Sequence, residues 1–96
     1  MRNLYLVAYD IADAKRLRHM HRVMEGFGDP LQYSLFRCLL SQKERLLLID
    51  ASLSVMNQKE DRVMVINLGP ERGNSGDRVE FLGVREEFED KRAIIV

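Results

Sequence analysis

Residues 3–11 read NLYLVAYDI, a run that is apolar on both parities of an extended strand. Leu4, Leu6 and Ala8 share one side; Tyr5, Val7 and Tyr9 share the other. A strand of this kind belongs at the centre of a sheet and needs cover on both faces. The chain supplying that cover has 96 residues, the size of one domain with no room for a second core. The whole of 1–96 is therefore read as a single domain, with a core over about 1–70 and a loop with appended strands over about 71–96.

The remaining segments alternate in type. Asp13 is a candidate N-cap, and Leu17, Met20, Met24 and Phe27 recur at helical spacing, which predicts a helix over roughly 14–26. Gly26 and Gly28 supply its stop, and Asp29-Pro30 reads as a turn. Residues 31–40 (LQYSLFRCLL) are strand-like but long, with a break expected near residues 34–36. Ser41-Gln42-Lys43-Glu44 fits a capping box, so a second helix is expected over roughly 42–56. Its inner stripe is read as Leu46, Ile49, Leu53 and Met56. Residues 57–61 form a polar loop, and residues 62–68 (RVMVINL) a strand closed by Gly69-Pro70. Residues 71–77 read as a loop, 79–84 as a short strand, 86–92 as a charged stretch and 93–96 (AIIV) as a terminal strand.

This order gives an α+β, ferredoxin-like βαββαβ sandwich with an appended C-terminal strand. Two helices cover one face of such a sheet. The other face, apolar along the first strand, is then expected to pack on a second copy in a face-to-face homodimer.

Composition excludes several classes. The longest apolar run is six residues, 4–9, far short of the about 20 a membrane-spanning helix needs. No apolar leader is evident, and one cysteine makes neither a disulfide nor a thiolate metal site, so a reducing cytoplasm is expected. The net charge is zero, but residues 1–48 hold 8 basic and 5 acidic side chains against 7 and 10 in residues 49–96. That separation allows one basic face.

Asp10 closes the first strand, and reads either as a surface aspartate at a strand end or as a functional carboxylate. On the dimer expectation it meets its own copy, and two carboxylates at one site repel unless a divalent cation joins them. Magnesium suits two carboxylates plus waters, and manganese would serve as well. Such an ion can activate water against a phosphodiester. Lys15, Arg16, Arg18, His19, His21 and Arg22 lie on the first helix with Glu25 as the one acidic partner at helical spacing. Such charges usually mean a solvated helix face; unpaired, they would also suit phosphates. His19 and His21 diverge on a helix and do not share a metal. Cys38 reads as a buried structural thiol.

Tyr9-Asp10-Ile11-Ala12-Asp13, the basic helix start Lys15-Arg16-Leu17-Arg18, Gly28 and Gln32-Tyr33-Ser34-Leu35-Phe36 together resemble the small CRISPR-associated acquisition nuclease family, the compact partner of the CRISPR integrase in spacer acquisition. The similarity spans about residues 3–70. It implies a ferredoxin-like homodimer, magnesium at Asp10 shared with its copy, Tyr9 beside that ion, and Arg16, Arg18 and Lys15 on phosphates. It also implies Ser34 and Phe36 in the cleft between subunits, and a terminal strand packed on the partner. Activity would be metal-dependent cleavage of single-stranded RNA or double-stranded DNA. The alternative is a non-catalytic adaptor that grips a duplex backbone and bridges integrase subunits. Many members carry an aspartate where Ala14 stands here, which weakens any scheme needing a further carboxylate.

Overall fold

The computed structural model describes residues 1–71 and 79–84. In chain order it contains β1 (Asn3–Asp10), α1 (Ala14–Glu25), β2 (Asp29–Gln32), β3 (Leu35–Leu40), α2 (Gln42–Val55) and β4 (Arg62–Pro70). The four strands form one antiparallel sheet in the order β2-β3-β1-β4. This is the βαββαβ arrangement expected, with β1 in the interior of the sheet.

Both helices start where their caps dictate. The Asp13 side chain accepts from the Arg16 amide at the head of α1. At the head of α2, Ser41 Oγ accepts from the Glu44 amide at 3.1 Å, while Glu44 Oε1 accepts from the Ser41 amide at 2.8 Å. Arg2 also reaches Glu44 at 2.9 Å, tying the chain start to this cap.

The helices pack on the face carrying Tyr5, Val7 and Tyr9 of β1 and Phe36, Cys38 and Leu40 of β3. Met20 and Met24 of α1 and Leu48 of α2 complete this core. Each large apolar side chain fully removed from water contributes about 1.5–3 kcal/mol. Gly28 sets how closely the chain leaving α1 approaches β3. A Cβ there would collide with the Arg37 carbonyl oxygen and come within 2.6 Å of Cys38 Sγ. Glycine is thus required at Gly28 for close approach rather than for stopping the helix.

Four expectations are corrected. The buried face of α2 carries Leu48 and Ser52, while Leu46, Leu47 and Leu53 stand about half exposed. Asp29-Pro30 is not a turn but the start of β2, an edge strand in which a residue without an amide hydrogen is tolerated. Gly69-Pro70 does not follow β4 but forms its last two residues. The strand bulges between its pairings with Tyr5 and Asn3, Gly69 takes φ 93°, and Pro70 resumes the pairing. Residues 79–84 form no strand: Gly83 takes φ 80°, and Leu82 and Val84 are almost wholly exposed. The expected charged stretch 86–92 and terminal strand 93–96 lie outside the described residues, as does all of the 71–77 loop except residue 71.

Candidate functional site

Strand alternation sorts the two residues at the end of β1. Asp10 shares a side with Leu4, Leu6 and Ala8, away from the helices. Across the ladders on that side stand Leu35, Arg37 and Leu39 of β3, and Arg62, Met64 and Ile66 of β4. No helix covers this face, and Met64 is 52% and Ile66 37% exposed. Asp10 is exposed at its edge, directly opposite Arg62. Among the described residues neither side chain makes a hydrogen bond or ion pair.

Tyr9 points the other way, so the expectation that it stands beside an ion at Asp10 is corrected. Its ring is buried, stacked on Phe36 at 6.2 Å between centroids. Its hydroxyl donates to the Tyr33 carbonyl at 3.0 Å and lies 3.0 Å from His21 Nδ1. With the one phenol proton given to Tyr33, His21 must supply the hydrogen of the second bond from Nδ1. Burial, and then Glu25, push the phenol up to about 12. Tyr9 therefore braces the β2–β3 turn and stays neutral. Phe36 is equally interior, with no exposed surface and His21 edge-on at 5.2 Å. It fills the core rather than lining a cleft between subunits. Ser34 lies half-buried in the β2–β3 turn, where its carbonyl accepts from the Tyr9 amide at 3.0 Å.

The basic residues of α1 divide as well. Lys15 and Arg18 are exposed, as a phosphate-facing role requires. Arg16 is committed elsewhere. Its Nε donates to Asp61 Oδ2 at 2.9 Å, and its Nη2 donates to Asp61 Oδ1 at 3.2 Å and to Glu60 Oε1 at 2.9 Å. The expectation of an unpaired Arg16 fails because its partners come from the α2–β4 loop, not from its own helix.

Asp61 is the residue that sequence reasoning missed. Its side chain is 0% exposed and accepts four hydrogen bonds. Besides the two from Arg16, they come from the Ala12 amide at 2.9 Å and the Asn57 amide at 2.8 Å. The Arg16 guanidinium first, then the two amides, hold this carboxyl far below the usual carboxylate range against the opposing effect of burial. Asp61 thereby locks the β1–α1 turn to the start of β4. Those are the two chain segments that present Asp10 and Arg62. The available signal was the missing partner of Arg16.

Among the described residues no three His, Cys, Asp or Glu side chains stand together as metal ligands. Cys38 has no exposed surface, and burial, then Asp29, push its thiol up to about 12. It is expected to resist iodoacetamide in the native protein and to react fully in denaturant. Native labelling at the denatured rate would contradict its enclosure.

Residues 2–74 match the family model described as CRISPR associated protein Cas2. The chain is 36% identical over 92 residues to a CRISPR-associated endoribonuclease Cas2 of Rhodospirillum rubrum, covering 96% of this chain and 89% of the relative. It is 35% identical over 97 residues to the corresponding protein of Geobacter sulfurreducens, covering the full length of both. The crystal structure of Streptococcus pyogenes Cas2 at pH 6.5 superposes with a TM-score of 0.74 at 29% identity, covering 83% of this chain and 99% of that one. The chain that carries Asp10 at the edge of an apolar sheet face, behind an Asp61 clamp, belongs to the CRISPR-associated Cas2 family.

Proposed function

We propose that the protein is a CRISPR-associated endonuclease that acts as a face-to-face homodimer in the cytoplasm. One observation carries this reading: an exposed carboxylate without a partner, Asp10, shares its sheet face with the apolar surface of Leu6, Ala8, Leu35, Leu39, Met64 and Ile66. When that surface packs on its own copy across a two-fold axis, only residues beside the axis meet their own copies, and this reading sets the axis beside Asp10. Asp10 and its copy would then hold magnesium or manganese. The ion would supply charge neutralisation at a phosphodiester and lower the pKa of water. The chain's own part is to fix the carboxylates, through the Asp61 clamp, and to hold the backbone of the substrate. Lys15 and Arg18 are free to meet flanking phosphates. The curated relatives are named endoribonucleases, which favours RNA as the substrate.

The test is cleavage of single-stranded RNA and of duplex DNA by the wild type and Asp10→Asn, with magnesium or a chelator. Electrostatic stabilisers of a transition state are worth about 10²–10³ in kcat. Asp10→Asn is expected to lose at least about 100-fold while sedimenting as a dimer. An Asp10→Asn dimer that cleaves at the wild-type rate would refute the hydrolytic reading. The exposure of Lys15 and Arg18 would then favour the second one, an adaptor that grips duplex DNA and docks the CRISPR integrase.

A further inference from the structure

We infer that Arg62 is the phosphate-positioning residue of the Asp10 site, the place that the α1 arginine at position 16 does not fill. The inference rests on the reading of Asp10 given above and adds to it a side chain from β4. Asp10 and Arg62 are directly opposed in the antiparallel β1–β4 ladder. Side chains so placed share a face, with Cβ atoms about 4.5–5.5 Å apart. Both are exposed, and the two do not pair with each other: no ion pair joins them within 4.0 Å. Both groups are therefore available to a third group on that face.

Charge explains what that group is. Two carboxylates brought together would repel a polyanion before any cation arrived. Arg62 and its copy match them charge for charge on the same face. The guanidinium fork also fits two phosphate oxygens at once. Arg16 does not do this, because three of its hydrogen bonds are already committed to Asp61 and Glu60. Its locked geometry serves Arg62 instead. Asp61 immediately precedes Arg62 and takes four hydrogen bonds from three segments of the chain. That anchor fixes the backbone from which Arg62 projects. The shared chemistry of the ligand is a phosphodiester, whether of RNA or of DNA.

The experiment measures binding without cleavage. Full-length wild type, Arg62→Ala, Arg62→Lys and, as a remote control, Arg2→Ala are titrated in EDTA with a labelled single-stranded RNA and separately with a blunt DNA duplex, across a salt series. Arg62→Ala is expected to weaken binding about 10-fold or more. The slope of log K against log salt should become shallower by about 0.7 for each RNA phosphate no longer neutralised, or by about 0.9 for each duplex phosphate. Arg62→Lys should keep the wild-type slope but regain only part of the affinity. Arg2→Ala should change neither. The polymer whose slope responds is the one seated at Asp10. Wild-type slope and affinity for Arg62→Ala on both polymers, with the melting temperature unchanged, would overturn the inference. Because no metal or turnover enters the measurement, that result is separable from a failure of the Asp10→Asn cleavage test.

Discussion

Asp61→Asn is expected to lower the melting temperature more than any exposed charge removal, and to flatten the acid side of the stability profile. In the wild type each carboxylate oxygen accepts two hydrogen bonds: Oδ1 from Ala12 and Arg16, and Oδ2 from Asn57 and Arg16. An asparagine amide places NH2 at one of these sites in either orientation. Two donors then face a donor inside a side-chain environment with no water contact. The comparison variant is Arg2→Ala, which removes an ion pair with both partners substantially exposed and should cost little. The pH dependence has a definite sign. Asp61 is lowered from an ordinary value of 3.8, and Glu44 from 4.5 to about 2, the latter by Arg2 first and then by the Ser41 cap. A depressed carboxylate contributes stability that is complete above its unfolded value and is lost as pH falls through the folded one. The wild type should therefore weaken progressively below about pH 4.5. Melting curves from pH 2 to 5 should fall less steeply for Asp61→Asn than for the wild type. Parallel curves would mean that the clamp is not formed in solution.

Gly28→Ala is the second large effect. The added methyl meets the Arg37 carbonyl and the Cys38 Cα, both backbone groups in the interior strand β3, and the fully buried Cys38 sulfur. None of these can swing aside as a side-chain tip does. Overpacking of this kind costs about 1–3 kcal/mol. In a domain of this length each kcal/mol shifts the melting temperature by about 4–8 °C. Gly26→Ala is the matched control. Its Cβ touches only the Val23 carbonyl at 3.3 Å, and its backbone is already helical at φ −76°. It should leave stability nearly unchanged or raise it slightly. Equal melting temperatures for the two variants would contradict the close packing at Gly28.

The order of elements was legible because each is signalled locally. Asp13 and the Ser41–Glu44 box mark helix starts with side-chain oxygens, and both make the expected bonds. The break near Ser34 separates β2 from β3. The face of α2 was not legible. Leu46-Leu47-Leu48-Ile49 is apolar all round the helix, so periodicity alone cannot choose between Leu46 and Leu48 as the inward position. Tertiary packing made that choice. The site was half legible. Asp10 stands out as a carboxylate ending an apolar strand, and its exposure on the open face agrees with that. The resemblance implies Tyr9 and Phe36 at the site, but Tyr9 falls on the opposite parity of β1 from Asp10, and Phe36 pairs with Val7 on the helix-covered face. In a strand, neighbours point to opposite faces. Asp61 and Arg62 were hidden for a different reason. Arg16 and Ala12 lie 45 and 49 positions from Asp61, and Arg62 comes opposite Asp10 only through the β1–β4 pairing.

Each outer strand of the described sheet contains a proline, Pro30 in β2 and Pro70 in β4. A foreign strand zipping onto either margin would find a gap in the row of amide hydrogens it needs. Fibre-like polymerisation along the ladder direction is thereby discouraged. The proline-free middle strands β1 and β3 instead carry the open apolar face, where the proposed pairing of copies would close on itself rather than continue into a stack.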